Sequence, residues 1–94
     1  MKFLGTEVEV EAGLIDILLQ DAKGRIVVVE IETKANETAV AQVCRLAASY
    51  SSTDKVAEDT IRKVIVCQQF EEKTVRACKG ANVELYKLNM KRVI

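Results

Sequence analysis

Residues 6–10, TEVEV, alternate polar and apolar positions, the period of a half-buried or edge strand. Gly13 then marks a turn or bulge, and the apolar run LIDILL (14–19) predicts a second strand. The polar segment DAKG leads into RIVVVEIE (25–32), a third. A common hairpin loop has three residues, a type I turn followed by a glycine in the left-handed region. Placing Ala22, Lys23 and Gly24 in that loop pairs Asp21 with Arg25. The same register sets Asp16 directly across from Glu30, and Leu14 across from Glu32. Directly opposed side chains share a face, with Cβ atoms about 5 Å apart. On this reading Ile15, Ile17, Leu19, Val27, Val29 and Ile31 form one face. The other carries Leu18, Ile26 and Val28 near the turn and gathers its carboxylates at the far end.

The second half of the chain has a different period. Residues 37–51, ETAVAQVCRLAASYS, predict a helix: Asn36 suits the N-cap, Glu37 the first turn, and Val40, Val43, Cys44 and Ala47 recur at helical spacing. Its small residues Ala39, Ala41, Ala47 and Ala48 allow close approach to a sheet. Residues 52–60 read as a solvated connection and 62–67, RKVIVC, as a buried strand. EEKTVRACK predicts a short helix ended by Gly80, and 82–88, NVELYKL, a final strand. The expected order is β-β-β-α-β-α-β, an α/β sandwich around a mixed sheet, with residues 1–94 forming a single domain.

Composition narrows the chemistry. With no His among the 94 residues, Ser-His-Asp, Cys-His and HExxH arrangements are excluded. Cys44, Cys67 and Cys78 are odd in number and widely spaced, which argues against a disulfide framework or a zinc site. Cys44 and Cys67 fall within apolar patterns and read as core residues. Any catalysis must therefore rest on carboxylates, Lys or a hard metal. No apolar run is long enough to span a bilayer and Met1-Lys2-Phe3 does not begin a signal peptide, so the expectation is a cytoplasmic protein with no membrane partner. Fourteen basic and fourteen acidic residues cancel, which counts against strong non-specific DNA affinity. A local patch of Lys87, Lys91 and Arg92 remains a candidate phosphate contact.

Asp16, Glu30 and Glu32 stand inside otherwise apolar strands, where carboxylates are costly to bury without compensation. A bound cation is the usual compensation. The segment G-x-x-D-I-L-x-x-D-x-x-G-x-x-V-V-V-E-I-x, followed by A-V-x-Q on the first helix, resembles the PD-(D/E)XK nuclease superfamily. The likeness is to the nuclease domain of NucS-type archaeal endonucleases and to RecB-like and Holliday-junction resolvase-like members. The later RKVIVCQQFEEKTVRACKGANVELYKLN resembles the closing strand, helix and strand of that domain.

This resemblance implies a restriction-endonuclease-like fold with its usual N-terminal helix missing or minimal. Asp16 matches the first metal-binding Asp and Glu30 the acid of the (D/E)XK element. Ile31 takes the X position, whose backbone carbonyl completes the metal shell, and Gln42 matches the helix Gln of RecB-like members. Glu32 stands where the motif has Lys, with Lys34 two residues on as a substitute of the same parity. Leu46 occupies the position where RecB-like members have Tyr, and Tyr50 follows one helical turn later. Glu7, Glu9 or Glu11 could supply the acid that the missing helix carries.

Such sites bind Mg²⁺ or Mn²⁺, which polarises a phosphate and activates water. The expectation is thus a Mg²⁺-dependent endodeoxyribonuclease-like domain that hydrolyses phosphodiesters, with branched or single-stranded DNA as candidate substrates. Asp16 and Glu30 would hold the metal, and Glu32 or Lys34 would assist the attacking water. The alternative is a nuclease-fold module that has lost catalysis and serves in DNA binding or homodimeric assembly. A homodimer would also complete the core of so small a sheet.

Overall fold

The computed structural model describes residues 1–89. Three antiparallel strands come first: β1 (Lys2–Val10), β2 (Gly13–Gln20) and β3 (Ile26–Ala35). Helix α1 (Glu37–Asp54) and a 3₁₀ turn (Glu58–Thr60) lead to β4 (Arg62–Phe70), which runs parallel to β3. Helix α2 (Glu72–Ala81) then returns the chain to β5 (Val83–Lys87), parallel to β4. The sheet order is β1-β2-β3-β4-β5, so chain neighbours are sheet neighbours throughout.

The hairpin register is the expected one near the turn, but the expected Asp16–Glu30 and Leu14–Glu32 rungs do not form, because β2 leaves β3 after Ile17 and Leu14 pairs only with Glu9 of β1. Ile17 pairs with Val29, Leu18 with Val28, Leu19 with Val27 and Gln20 with Ile26. In the turn, Asp21 N–H donates to the Arg25 carbonyl and Gly24 N–H to the Asp21 carbonyl, both at 2.9 Å. Gly24 closes it with φ 82°, a conformation L side chains rarely adopt.

Element ends differ from the expected ones where tertiary pairing decides them. β1 starts at Lys2 because Lys2 pairs with Gln20, and β4 extends to Phe70 because Phe70 pairs with Ala35. α1 continues three residues past 51 and stops at Lys55, which takes the left-handed conformation (φ 54°). α2 passes through Gly80 and ends at Asn82 instead, whose left-handed backbone (φ 56°) lets its N–H reach the Cys78 and Lys79 carbonyls. Lys91 and Arg92 lie outside the described residues.

Both helices pack on one face of the sheet. The core there joins Ile15, Leu18, Ile26, Val28 and Ile65 to Val40, Val43, Leu46 and Ala47 of α1 and to Cys78 of α2. Ile17, Leu19, Val27, Val29, Val64 and Val66 form a separate apolar layer on the other face. No helix among the described residues covers that layer, and none is long and apolar enough to cross a membrane.

Ile15 corrects the simple alternation. Strict alternation places it with Ile17, yet it is wholly buried on the helix side with Leu18. Its partner Val8 packs there too, whereas Thr6 pairs with Ile17 of the opposite layer. Both strands therefore change face between these two rungs. The residues in between are Glu7 and Asp16, which form no rung of the ladder, and Glu7 has φ 48°. Gly5 makes room for the change, since a Cβ there would lie 3.2 Å from Val8 Cγ2.

Candidate functional site

Asp16 and Glu30 stand at a fork. The β2–β3 ladder ends at Ile17 and Val29, while β3 continues beside β4 as far as Ala35. Beyond the fork the tip of the β1–β2 hairpin leans on α1: Ala12 N–H donates to Ser49 Oγ at 3.2 Å, and Gly13 lies under Gln42 and Leu46.

The two carboxylates bridge the opening strands. Ile31 N–H donates to Asp16 Oδ2 at 2.8 Å, and Asp16 N–H donates to Glu30 Oε1 at 3.3 Å. Each acid thus occupies a backbone donor at the fork, and the two carboxyl groups lie close enough that a hydrogen bond between them helps to raise Glu30. Glu30 pairs with Ile65 and Glu32 with Cys67, both core residues of the helix side, so the two glutamates share that face.

Glu30 is only 6% exposed. Burial, with the nearby charges of Asp16 and Glu32, pushes its carboxyl up to about 7, although the Asp16 N–H works in the other direction. No Lys or Arg among the described residues forms an ion pair with Asp16, Glu30 or Glu32. Lys34 is exposed.

These features bear on whether a metal fits. The donors are all oxygen, which suits a hard cation, and a positive ion would relieve the repulsion that raises Glu30. The described residues bring together no group of three or more His, Cys, Asp or Glu side chains able to hold a metal. The side-chain oxygens that converge at the fork are those of Asp16 and Glu30. Two carboxylates match the chemistry of Mg²⁺, which keeps several of its waters and takes few protein carboxylates.

The remaining candidates take other places. Gln42 sits on α1 above Gly13, with Oε1 accepting from Arg45 Nη2 at 2.8 Å; none of its hydrogen bonds goes to the acids. Leu46 is fully buried in the core. Tyr50 packs against that core; burial and the neighbouring Asp54 push its hydroxyl up to about 12. It is placed as a packing residue. Glu7 and Glu9 are exposed on β1 and Glu11 in the hairpin loop, and none joins an acidic cluster.

A charged network that the sequence pattern did not reveal closes the opposite end of the sheet. Arg62 forks onto both carboxylate oxygens of Glu84, at 2.7 and 2.8 Å, and reaches Asp21 Oδ2 at 3.5 Å. Burial works against the Asp21 charge, yet the Arg25 and Lys23 N–H groups and the Arg25 guanidinium hold its carboxyl down at about 2. A concavity of about 720 Å³ there is lined by Arg25, Arg62, Asn82 and Glu84. Its arginines are taken up by acids, and it holds neither Asp16 nor Glu30. A smaller hollow of about 150 Å³ borders Ile31 and Glu32 on the β4 side, with Val66, Cys67 and Leu88, and holds neither Asp16 nor Glu30.

Comparison with known proteins gives these positions a context. Residues 1–93 match the model of the endonuclease NucS C-terminal domain. The chain belongs to this family. Among solved structures, the NucS-family chain is similar to EndoMS in a complex with double-stranded DNA, with a TM-score of 0.82 and 26% identity. That match covers 97% of this chain and 38% of the other. It is also similar to a repair endonuclease from Pyrococcus abyssi (TM-score 0.81, 25% identity), over 95% of this chain and 39% of that one. SfsA from Pyrococcus furiosus shares the fold, with a TM-score of 0.55 and 16% identity over 88% of this chain and 45% of its own. The chain thus spans about two fifths of the length of the NucS-type structures it matches. No curated protein sequence matches it.

Proposed function

We propose that this NucS C-terminal domain is a metal-dependent DNA endonuclease domain in which Asp16 and Glu30 hold Mg²⁺ or Mn²⁺. The observation that carries this reading is the pair at the fork, two adjacent carboxylates each tied to one backbone N–H, with Glu30 buried and raised by the charge of Asp16. Membership of an endonuclease family and similarity to a relative solved on double-stranded DNA support DNA as the partner.

When bound, the cation supplies Lewis acidity toward a phosphoryl oxygen and lowers the pKa of a water. The chain's own residues set the geometry. Ile31 N–H orients Asp16, and Asp16 N–H orients Glu30, so neither carboxylate is free to rotate away. The Ile31 carbonyl is the third protein oxygen in this scheme. Glu32 is the group that takes the proton from the attacking water; it shares a face with Glu30 and raises Glu30 by its charge. Lys34 is the alternative for phosphate contact. Gln42 reaches substrate only if it exchanges its bond to Arg45.

Cleavage of branched, single-stranded and duplex DNA with Mg²⁺ or Mn²⁺ tests the proposal. Asp16→Ala is expected to abolish both cleavage and Mn²⁺ binding. If the wild-type chain nicks none of these forms in either metal, the catalytic reading is wrong. DNA and Mn²⁺ binding without cleavage would instead identify the module that has lost catalysis. Glu32 at the motif's Lys position favours that second reading. Homodimeric assembly is proposed with either, and a single-chain mass by light scattering at micromolar concentration removes it.

A further inference from the structure

We propose that Glu7 is a positioning residue for this site, acting through its backbone: its left-handed conformation turns the hairpin tip onto α1 and so holds Asp16 at the fork. The proposal rests on the reading of Asp16 and Glu30 as a metal site, and its evidence is independent of that reading.

Glu7 has φ 48°, a region that glycine enters freely and other residues only when their surroundings require it. The surroundings here do. On one side Thr6 pairs with Ile17 of the open layer; on the other Val8 pairs with Ile15 of the helix-side core. Two residues that lie two apart on a regular strand share a face. Thr6 and Val8 do not, and neither do Ile15 and Ile17, so the hairpin turns over at the Glu7–Asp16 position.

That turn has two consequences. It buries Ile15 completely and seats the loop against Ser49, Gln42 and Leu46. It also carries β2 away from β3 after Ile17, opening the gap in which Asp16 takes the Ile31 N–H. In a flat hairpin Asp16 would form an ordinary rung with Glu30, and the backbone would use that N–H. The Glu7 side chain makes no hydrogen bond among the described residues and is exposed, so its carboxylate has no part in this arrangement.

Four substitutions separate backbone from side chain. Glu7→Gly and Glu7→Asn both accept the left-handed region, and both should keep the wild-type Mn²⁺ dissociation constant within about twofold. Glu7→Val, β-branched and incompatible with that region, should weaken Mn²⁺ binding at least tenfold (about 1.4 kcal/mol) and remove hydrogen-exchange protection from the Ile31 amide. Glu7→Thr is the milder version if the valine variant does not fold. A folded Val or Thr variant with unchanged Mn²⁺ affinity and a protected Ile31 amide would overturn the proposal. Loss of binding in Glu7→Asn equal to that in Glu7→Val would also overturn it, since the carboxylate would then be the active group. If wild type itself binds no Mn²⁺, the metal reading fails separately, and Ile31 protection alone decides the positioning role. Persistence of that protection in the Val or Thr variant then counts against it.

Discussion

At the scale of single residues, Glu30 holds the sharpest conflict between stability and function. Its carboxyl ionises at about 7 in the fold, against an ordinary value of 4.5. Between these values the folded chain keeps a proton that the unfolded chain has released, so stability falls as pH rises. The contribution is complete below 4.5 and is lost as pH passes through 7. Glu30→Gln removes the charge and keeps an oxygen for the Asp16 N–H. In a metal-free buffer containing chelator, urea unfolding should show this variant more stable than wild type at pH 8, by an amount on the order of 3 kcal/mol or less, with little difference at pH 4.5. A variant less stable than wild type at pH 8 would show that the Glu30 charge is compensated within the chain. An acid held at such a cost between Val29 and Ile31 is what the proposed metal site would account for.

The secondary-structure elements differ in how far local chemistry decides them. Asn36 was readable as an N-cap, and its Oδ1 accepts from Ala39 N–H at 3.1 Å. Asn36→Ala is expected to cost about 1 kcal/mol in chemical denaturation. α2 lacks such a device: Glu71 holds the N-cap position without a side-chain cap. Glu71→Ser should therefore stabilise by roughly 0.5–1 kcal/mol, and no gain in the urea midpoint would show that the tie from Glu71 N–H to the Ala35 carbonyl already sets that end. The β2–β3 register was equally readable, because a three-residue turn leaves no freedom once Gly24 is placed. The faces of β1 and β2 were not readable past Ile17. Alternation assumes a strand that keeps one orientation, and the left-handed Glu7 breaks that assumption without any mark in the hydrophobic pattern.

For the molecule as a whole, α1 joins the core to the fork. Leu46 is fully buried and lies against Gly13 at the hairpin tip. Leu46→Ala should cost about 2–5 kcal/mol by thermal or urea unfolding. Because the tip rests on that side chain, Mn²⁺ affinity should fall with it, whereas an equally destabilising change at Cys78 on α2 should leave affinity unaltered in the folded protein. The Arg62–Glu84–Asp21 network at the other end was invisible in the sequence, since its members are separated by 22 and 41 positions and meet only through the parallel pairing of β4 with β5 on one side and β3 on the other. By itself the amino-acid order determined the elements, their order along the chain, the hairpin register and the nearness of Asp16 to Glu30. Each of these follows from local periods, caps and a turn. Only the tertiary structure decided that β2 leaves β3 at Asp16, that Ile15 turns to the helix side, and that two backbone N–H groups pass from the ladder to the carboxylates. Those outcomes depend on how the hairpin tip packs against α1, an interaction between segments distant in sequence that no local pattern encodes.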